Sequence, residues 1–206
     1  MNFVNMVTDK PRSRGRPRQF DLDEAVAVAQ QMFHTRGFDA VNITDLTDAL
    51  GINPPSFYAA FGNKAGLYTR VLARYAARDA VPLSDLLRDD RPVAECLGAV
   101  LEEAARRYAA SPDARGCLAL EGMHSTDSDV HNASCAAKAA AENVIRRYIA
   151  ARHRQSADAL TDFVSTTMAG LSAQSRNGYD LSRLLATARL ARLALTHALS
   201  DEGCGE

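Results

Sequence analysis

The sequence predicts an all-α protein, and three observations predict it. Apolar residues recur with the 3.6-residue period of a helix, whereas the period-two alternation of a half-buried strand is hard to find. The periodic segments are punctuated by breakers, including Gly37, Gly51, Gly62-Asn63, Ser111-Pro112-Asp113 and Asn177-Gly178. Finally, 206 residues that are 47% hydrophobic and 24% charged can bury a sizeable core, which excludes wholesale disorder.

Each element has a local cause. A helix starts after Asp21, with Glu24 in a capping-box-like position, and turns Leu22, Ala25, Val26, Ala29 and Phe33 to one face until Arg36-Gly37. Thr44 is read as the cap of a short helix through Leu50, with Ile43, Leu46 and Leu50 inward, and Gly51 breaks it. Pro54-Pro55 opens a second short helix carrying Phe57, Tyr58 and Phe61, since proline suits a first helical turn. A longer helix spans Lys64 to about Arg78. Beyond Pro82 the expected helices run from Pro92 to about Ala110, then over about 129–153, 157–176 and 180–200. The segment Arg115–Gly122 and a polar stretch, His124–Asn132, lie between them. Four helices thus precede a boundary near residue 80 and about five follow it.

Charge is unevenly spread. The net charge of −1 names no partner, but residues 1–20 carry Lys10, Arg12, Arg14, Arg16 and Arg18 against Asp9 alone. Such a basic arm on an otherwise balanced chain points to nucleic acid. No run approaches the ~18 apolar residues of a membrane span, and no signal-peptide pattern opens the chain. Cys96, Cys117, Cys135 and Cys204 lack C-x-x-C spacing. They are expected to be reduced thiols in a cytoplasmic protein.

Two short helices joined at Gly51, with a hydrophobic helix before them, have the layout of a helix-turn-helix over about 42–61. Its second helix must sit rigidly on the first to enter a major groove. Ile43, Leu46, Leu50, Ile52, Phe57 and Phe61 supply that packing, and the outward positions Asn53, Ser56, Ala59 and Ala60 are small or polar.

These residues also resemble a known family, the TetR family of transcriptional repressors. Thr35-Arg36-Gly37-Phe38-Asp39-Ala40 is similar to the family's "xRGFxA" element. Tyr58, Phe61, Lys64 and Leu67 follow its "YxxFxxKxxL" signature. The resemblance covers about residues 17–70. It implies a flexible basic arm over 1–16, a DNA-binding domain over 17–78 and a helical ligand-binding and dimerisation domain over 79–206. It further implies phosphate contacts by Thr44, Tyr58 and Lys64, and base-facing positions at Asn53, Pro55 and Ser56. Arg14, Arg16 and Arg18 would suit a narrow minor groove. Double-stranded operator DNA, a small-molecule effector and a second copy of the chain are the implied partners. No cofactor or metal is expected, and no membrane. Some members sense oxidants or electrophiles with a cysteine in a Gly-Cys element like Gly116-Cys117.

The alternatives are bland ones. Cys117 can be a small apolar core residue. Cys117, His124, His131 and Cys135 are ligand-type residues whose separations fit no compact zinc pattern. No Gly-x-Ser-x-Gly, phosphate-binding glycine loop or His-Glu-x-x-His occurs, so an enzyme is not expected. A constitutive architectural DNA-binding protein remains the second reading. For the effector, Leu101, Tyr108, Cys117, Met123, Phe163 and Met168 are the expected lining. For the dimer, Leu160, Val164 and Leu171 form one stripe, and Leu181, Leu184, Leu185 and Leu195 another; Leu190, Leu193 and Ala194 widen the second beyond half the helix.

Overall fold

Ten helices follow one another in the computed structural model, which describes residues 21–201. The basic arm, with Arg14, Arg16 and Arg18, lies outside the described residues. Among these residues no strand occurs, and no helix is long and apolar enough to cross a membrane.

The head is built from α1 (Leu22–Arg36), α2 (Ile43–Leu50), α3 (Pro54–Phe61) and α4 (Lys64–Arg78). Asp21 caps α1 by accepting from the N–H groups of Asp23 and Glu24. The cap of α2 is Asn42 rather than Thr44. Asn42 accepts from the Asp45 N–H at 2.8 Å and the Asp45 carboxylate accepts from the Asn42 N–H, a reciprocal capping box. Gly51 then stops α2 in a left-handed conformation, φ 64°, where a side chain would be strained. Asn53 and Asn63 cap α3 and α4 through their side-chain oxygens. Phe33, Phe38 and Tyr68 meet at ring separations of 5.3–5.5 Å, tilted or edge to face, and with Leu46, Phe57 and Leu67 they fill the head's core.

The larger body comprises α5 (Leu83–Leu86), α6 (Val93–Tyr108), α7 (Leu118–Gly122), α8 (Ser128–Ala150), α9 (Ala157–Arg176) and α10 (Leu181–Asp201). The one-turn α5 is an element the sequence pattern is too short to reveal. Helix α6 is the hub: Leu97, Val100, Leu101 and Ala104 are fully enclosed against α8, α9 and α10. Two cores therefore exist, but the head's core does not end at residue 80. It takes in Leu118 of α7 and Val130 of α8.

Tyr68 marks that junction. Its phenol donates to the Leu118 carbonyl at 3.2 Å and lies 3.4 Å from the Ser134 hydroxyl. Gly122 sits directly beneath: a Cβ there would fall 2.1 Å from the phenol oxygen and 2.2 Å from the serine oxygen. Gly122→Ala is therefore expected to cost about 1–3 kcal/mol by overpacking, read from urea unfolding. Tyr68→Phe in the same chain should recover part of that loss. A cycle with no coupling between the two changes would refute the contact.

Candidate nucleic-acid interface and effector cavity

The candidate reading face is the N-terminal half of α3 with the first turn of α2. Pro54 and Pro55 occupy the first turn of α3, where the missing N–H groups would have no helical partner. Asn53 uses its side-chain carbonyl to accept from the Ser56 N–H at 2.9 Å, which leaves its amide N–H2 as the group it can offer outward. Phe57 and Phe61 anchor the helix from below, both buried. Thr44, Pro55, Ser56 and Ala59 are exposed, and Tyr58 is 50% exposed with its ring edge-on to Phe57. Rigid underside and open upper face are what groove entry requires.

Lys64, a phosphate contact by resemblance, is engaged within the head. Its ammonium donates to the carbonyls of Phe38 at 3.0 Å and Val41 at 2.8 Å, and lies 4.0 Å from the centre of the Phe38 ring. Partial burial lowers its pKa, opposed by Asp39 and Asp127. Two of its three donors thus tie the α1–α2 turn to the start of α4. Its first role is to hold the head's geometry.

The head also grips the body. Asp39 accepts from the Ser125 hydroxyl at 2.7 Å and the Thr126 N–H at 2.9 Å, and these bonds, the backbone one foremost, hold its pKa down. Nε2 of the buried His34 lies 3.1 Å from the Gly116 carbonyl, next to Cys117. Burial is the main cause that pushes the His34 pKa down, with Arg176 adding to it against the Gly116 bond, Asp79 and Glu121. Neither contact has a signature in sequence, because both join segments about 80 residues apart.

A mainly apolar cavity of about 350 Å³ lies between α4 and the body. Its lining includes Tyr108, Cys117 and Met168, as the sequence leads one to expect. The other three expected residues do not line it. Leu101 is sealed in the α6 core, Phe163 is 39% exposed on the surface of α9, and Met123 lies beyond α7 with its carbonyl bonded to His131. Periodicity identifies an inward face but not which inward face meets a void. Tyr75 of α4 was missed altogether. Its phenol and that of Tyr108 line the cavity together with Cys117, and burial first, then the neighbouring thiol, pushes both phenols well above their ordinary range. The far wall carries Glu142, bonded to Lys138 and to the Ser165 hydroxyl. Among the described residues, no cluster of three or more His, Cys, Asp or Glu side chains could hold a metal ion.

The expected dimer stripes are partly displaced. Leu160, Val164, Leu171, Leu184 and Leu195 are buried in the protomer's own core, and Leu185 is half-buried against it. They cannot face a second chain. Leu181 is 40% exposed, and the widening residues Leu190 and Leu193 are 68% and 66% exposed. The side of α10 with Leu184 and Leu195 is thus the protomer's core, and the side with Leu190 and Leu193 is its surface.

A capped helix, a left-handed glycine turn and a second short helix with an open polar face define a helix-turn-helix DNA-binding head, here set on a helical body with an apolar cavity. Comparisons agree. The family model for bacterial regulatory proteins of the tetR family matches residues 25–71. The chain is 51% identical over 197 residues to the HTH-type transcriptional repressor BdcR of Escherichia coli (strain K12), spanning 95% of this chain and 100% of that one. It is 29% identical to ComR, an HTH-type transcriptional repressor of the same organism, over 87% of this chain and 93% of that one. A cysteine variant of the TetR family transcriptional regulator CifR, complexed with 26-bp double-strand operator DNA, superposes with a TM-score of 0.78 at 31% identity, covering 87% of this chain and 99% of that one. The chain belongs to the TetR family of bacterial regulatory proteins and is a DNA-binding transcriptional regulator.

His34 sets a pH dependence whose sign follows from its environment. The folded imidazole resists protonation, so below about 6.5 the unfolded chain binds a proton that the folded chain refuses. Stability is full above that pH and falls as the pH drops toward the lowered folded-state value. Asp39, held low, adds its own loss only below about 4. His34→Gln should remove the fall that sets in below about pH 6.5 in thermal unfolding. A variant with the parent's pH profile would show that His34 is not the titrating group.

Proposed function

We propose that this protein is an operator-binding repressor, acting as a homodimer in the cytoplasm and released from DNA by a small molecule or electrophile that enters the cavity at Cys117. One observation carries the proposal: Cys117 packs against both hydrophobic cores and lines the cavity, so a change at this residue is felt by head and body together. The named repressors among its relatives support the direction of the effect. The operator-bound relative supports the mode of binding.

On DNA, Tyr58 and Thr44 are placed to donate to phosphates, while Pro55, Ser56 and the Asn53 amide face base edges. The head itself carries few cations. Residues 21–80 hold 5 basic and 7 acidic groups, so the helix N-termini and the arm with Arg14, Arg16 and Arg18 must supply most of the attraction. Lys64 contributes through the turn it holds and the one N–H it has left.

For the dimer, Leu190 and Leu193, about 60° apart on α10 and the most exposed of its large apolar side chains, form an apolar patch that water alone would cover poorly. Pairing of such faces about a two-fold axis would set two heads about 34–36 Å apart, one turn of DNA. An effector that prefers a different head spacing then lowers DNA affinity by that preference.

Three outcomes test these points. Leu193→Glu, with Leu190→Glu as its second version, should sediment as a folded monomer and lose operator binding. A dimer that still binds would displace the interface elsewhere. Tyr58→Phe should weaken binding by about 0.5–1.5 kcal/mol on every sequence, as a lost neutral hydrogen bond does, whereas Lys64→Met should lower the melting temperature of the head. Finally, alkylation should release the parent protein from its operator in a fluorescence anisotropy titration, and Cys117→Ser should stay bound. Full release of the serine variant would return Cys117 to an inert core position.

A further inference from the structure

Side chains of the head reach one stretch of the body, residues 116–126, in two ways. His34 and Tyr68 reach the carbonyls of Gly116 and Leu118 in the buried interior. Asp39 reaches the α7–α8 loop at the solvent-exposed edge. Its carboxylate accepts there from the Ser125 hydroxyl, the Thr126 N–H and the Thr126 hydroxyl, at 2.7–3.2 Å. An ionised acceptor makes such bonds stronger than neutral ones, and exposure to water makes them open more readily than buried ones.

Both sides of this contact are stiff. On the head, Lys64 holds the carbonyls of Phe38 and Val41, on either side of Asp39, and the Arg36 guanidinium donates to the Ala40 carbonyl at 2.8 Å. On the body, the Ser125 hydroxyl accepts from the Asp127 N–H at 3.2 Å. The Asp127 carboxylate in turn caps α8, accepting from the N–H groups of Asp129 and Val130. The His131 ring, in the first turn of α8, lies 2.7 Å from the Met123 carbonyl. The turn therefore moves with the head, and the loop moves with α8. Further along α8, about 15 Å from Asp127 by the helical rise, Ala137, Lys138, Ala141 and Val144 form a wall of the cavity.

We propose that Asp39 is a positioning residue for operator binding: its carboxylate latches each head to its own α8 and so sets the distance between the two heads of a dimer. The buried contacts of His34 and Tyr68 are the pivot, and the exposed latch fixes the angle about it. The inference rests on the homodimer reading above and adds the residue that sets its geometry. It also gives the cavity a route to the head that bypasses α4, since a shift of α8 carries the loop with it. In this role Asp39 needs no contact with DNA. It acts through the fraction of dimers whose heads match one turn of the duplex, because apparent affinity scales with the competent fraction. Binding through a single head requires no such match.

The experiment uses the full-length protein and a duplex that the parent selects from a random pool, with binding read by fluorescence anisotropy. That duplex is compared with one carrying an extra base pair between the half-sites and with one carrying a single half-site. The extra pair moves the half-sites about 3.4 Å apart and rotates them by roughly a tenth of a turn. Asp39→Ala should weaken binding to the selected duplex about tenfold, the size of one lost hydrogen bond to a charged group. Its affinity for the single half-site should stay near that of the parent. The penalty for the extra base pair should shrink, since an unlatched head can follow the displaced half-site. Ser125→Ala with Thr126→Val removes both hydroxyl donors from the body side, leaves the head untouched and should give the same pattern. Adding Asp39→Ala to that pair should cost less than the separate losses combined, because all three act at one contact. Equal weakening of selected duplex and half-site by Asp39→Ala would place its effect inside the head and overturn the proposal. Parent-like affinity of both variants on all three duplexes would overturn it as well. A parent protein that binds the selected duplex no more tightly than the half-site overturns the homodimer reading itself.

Discussion

The segment from Gly116 to Gly122 is the wedge on which the arrangement of this molecule depends. Its backbone carbonyls are gripped from the head, Gly116 by His34 and Leu118 by Tyr68. Its Cys117 N–H is held from the body, donating to the Ser172 hydroxyl at 2.8 Å. A short buried segment has polar groups that must be satisfied by someone. Here the partners come from both sides, so satisfying them fixes the head against the body. The close approach at Gly122 leaves no room for slack.

That constraint explains why the cavity and the DNA-reading face can be coupled although they share no residue. Head and body do not meet as two independent cores, since Leu118 and Val130 complete the head's interior. Helix α4 lends Tyr75 to the cavity and Leu67 and Val71 to the head's core. Anything that changes the volume beside Cys117 meets a wall that is also the head's support. Packed interiors answer such changes by moving as units rather than by yielding locally.

The reading face itself is economical in polar chemistry. Asparagine side chains cap α2, α3 and α4 in turn, so the same residue type sets the start of each helix. Lys64, the head's cation nearest that face by sequence, is engaged on two carbonyls. Under the proposed mode of binding, electrostatic attraction for DNA falls to helix ends and to the basic arm. In that mode, proline at the start of α3 would leave shape and apolar contact to carry part of the recognition.

The sequence by itself determined the helices and the nature of the head. Local signals are sufficient there: Asp21, Gly37, Gly51, Pro54 and Gly62 punctuate apolar periods, and the run from Thr35 to Tyr68 carries a recognisable pattern. The Asn42–Asp45 capping box is present as a spacing, with Thr44 beside it as a second residue of capping type. Tertiary structure alone decided the rest. Which wide stripe of α9 and α10 faces inward depends on where α6 lies, so Leu184 and Leu195 are core while Leu190 and Leu193 are surface. That Lys64 meets the carbonyls of Phe38 and Val41 depends on a turn 23 to 26 residues away. The pairing of Tyr75, Tyr108 and Cys117 joins three elements with no common period. Periodicity reports that a side chain is buried, but only packing reports what it is buried against.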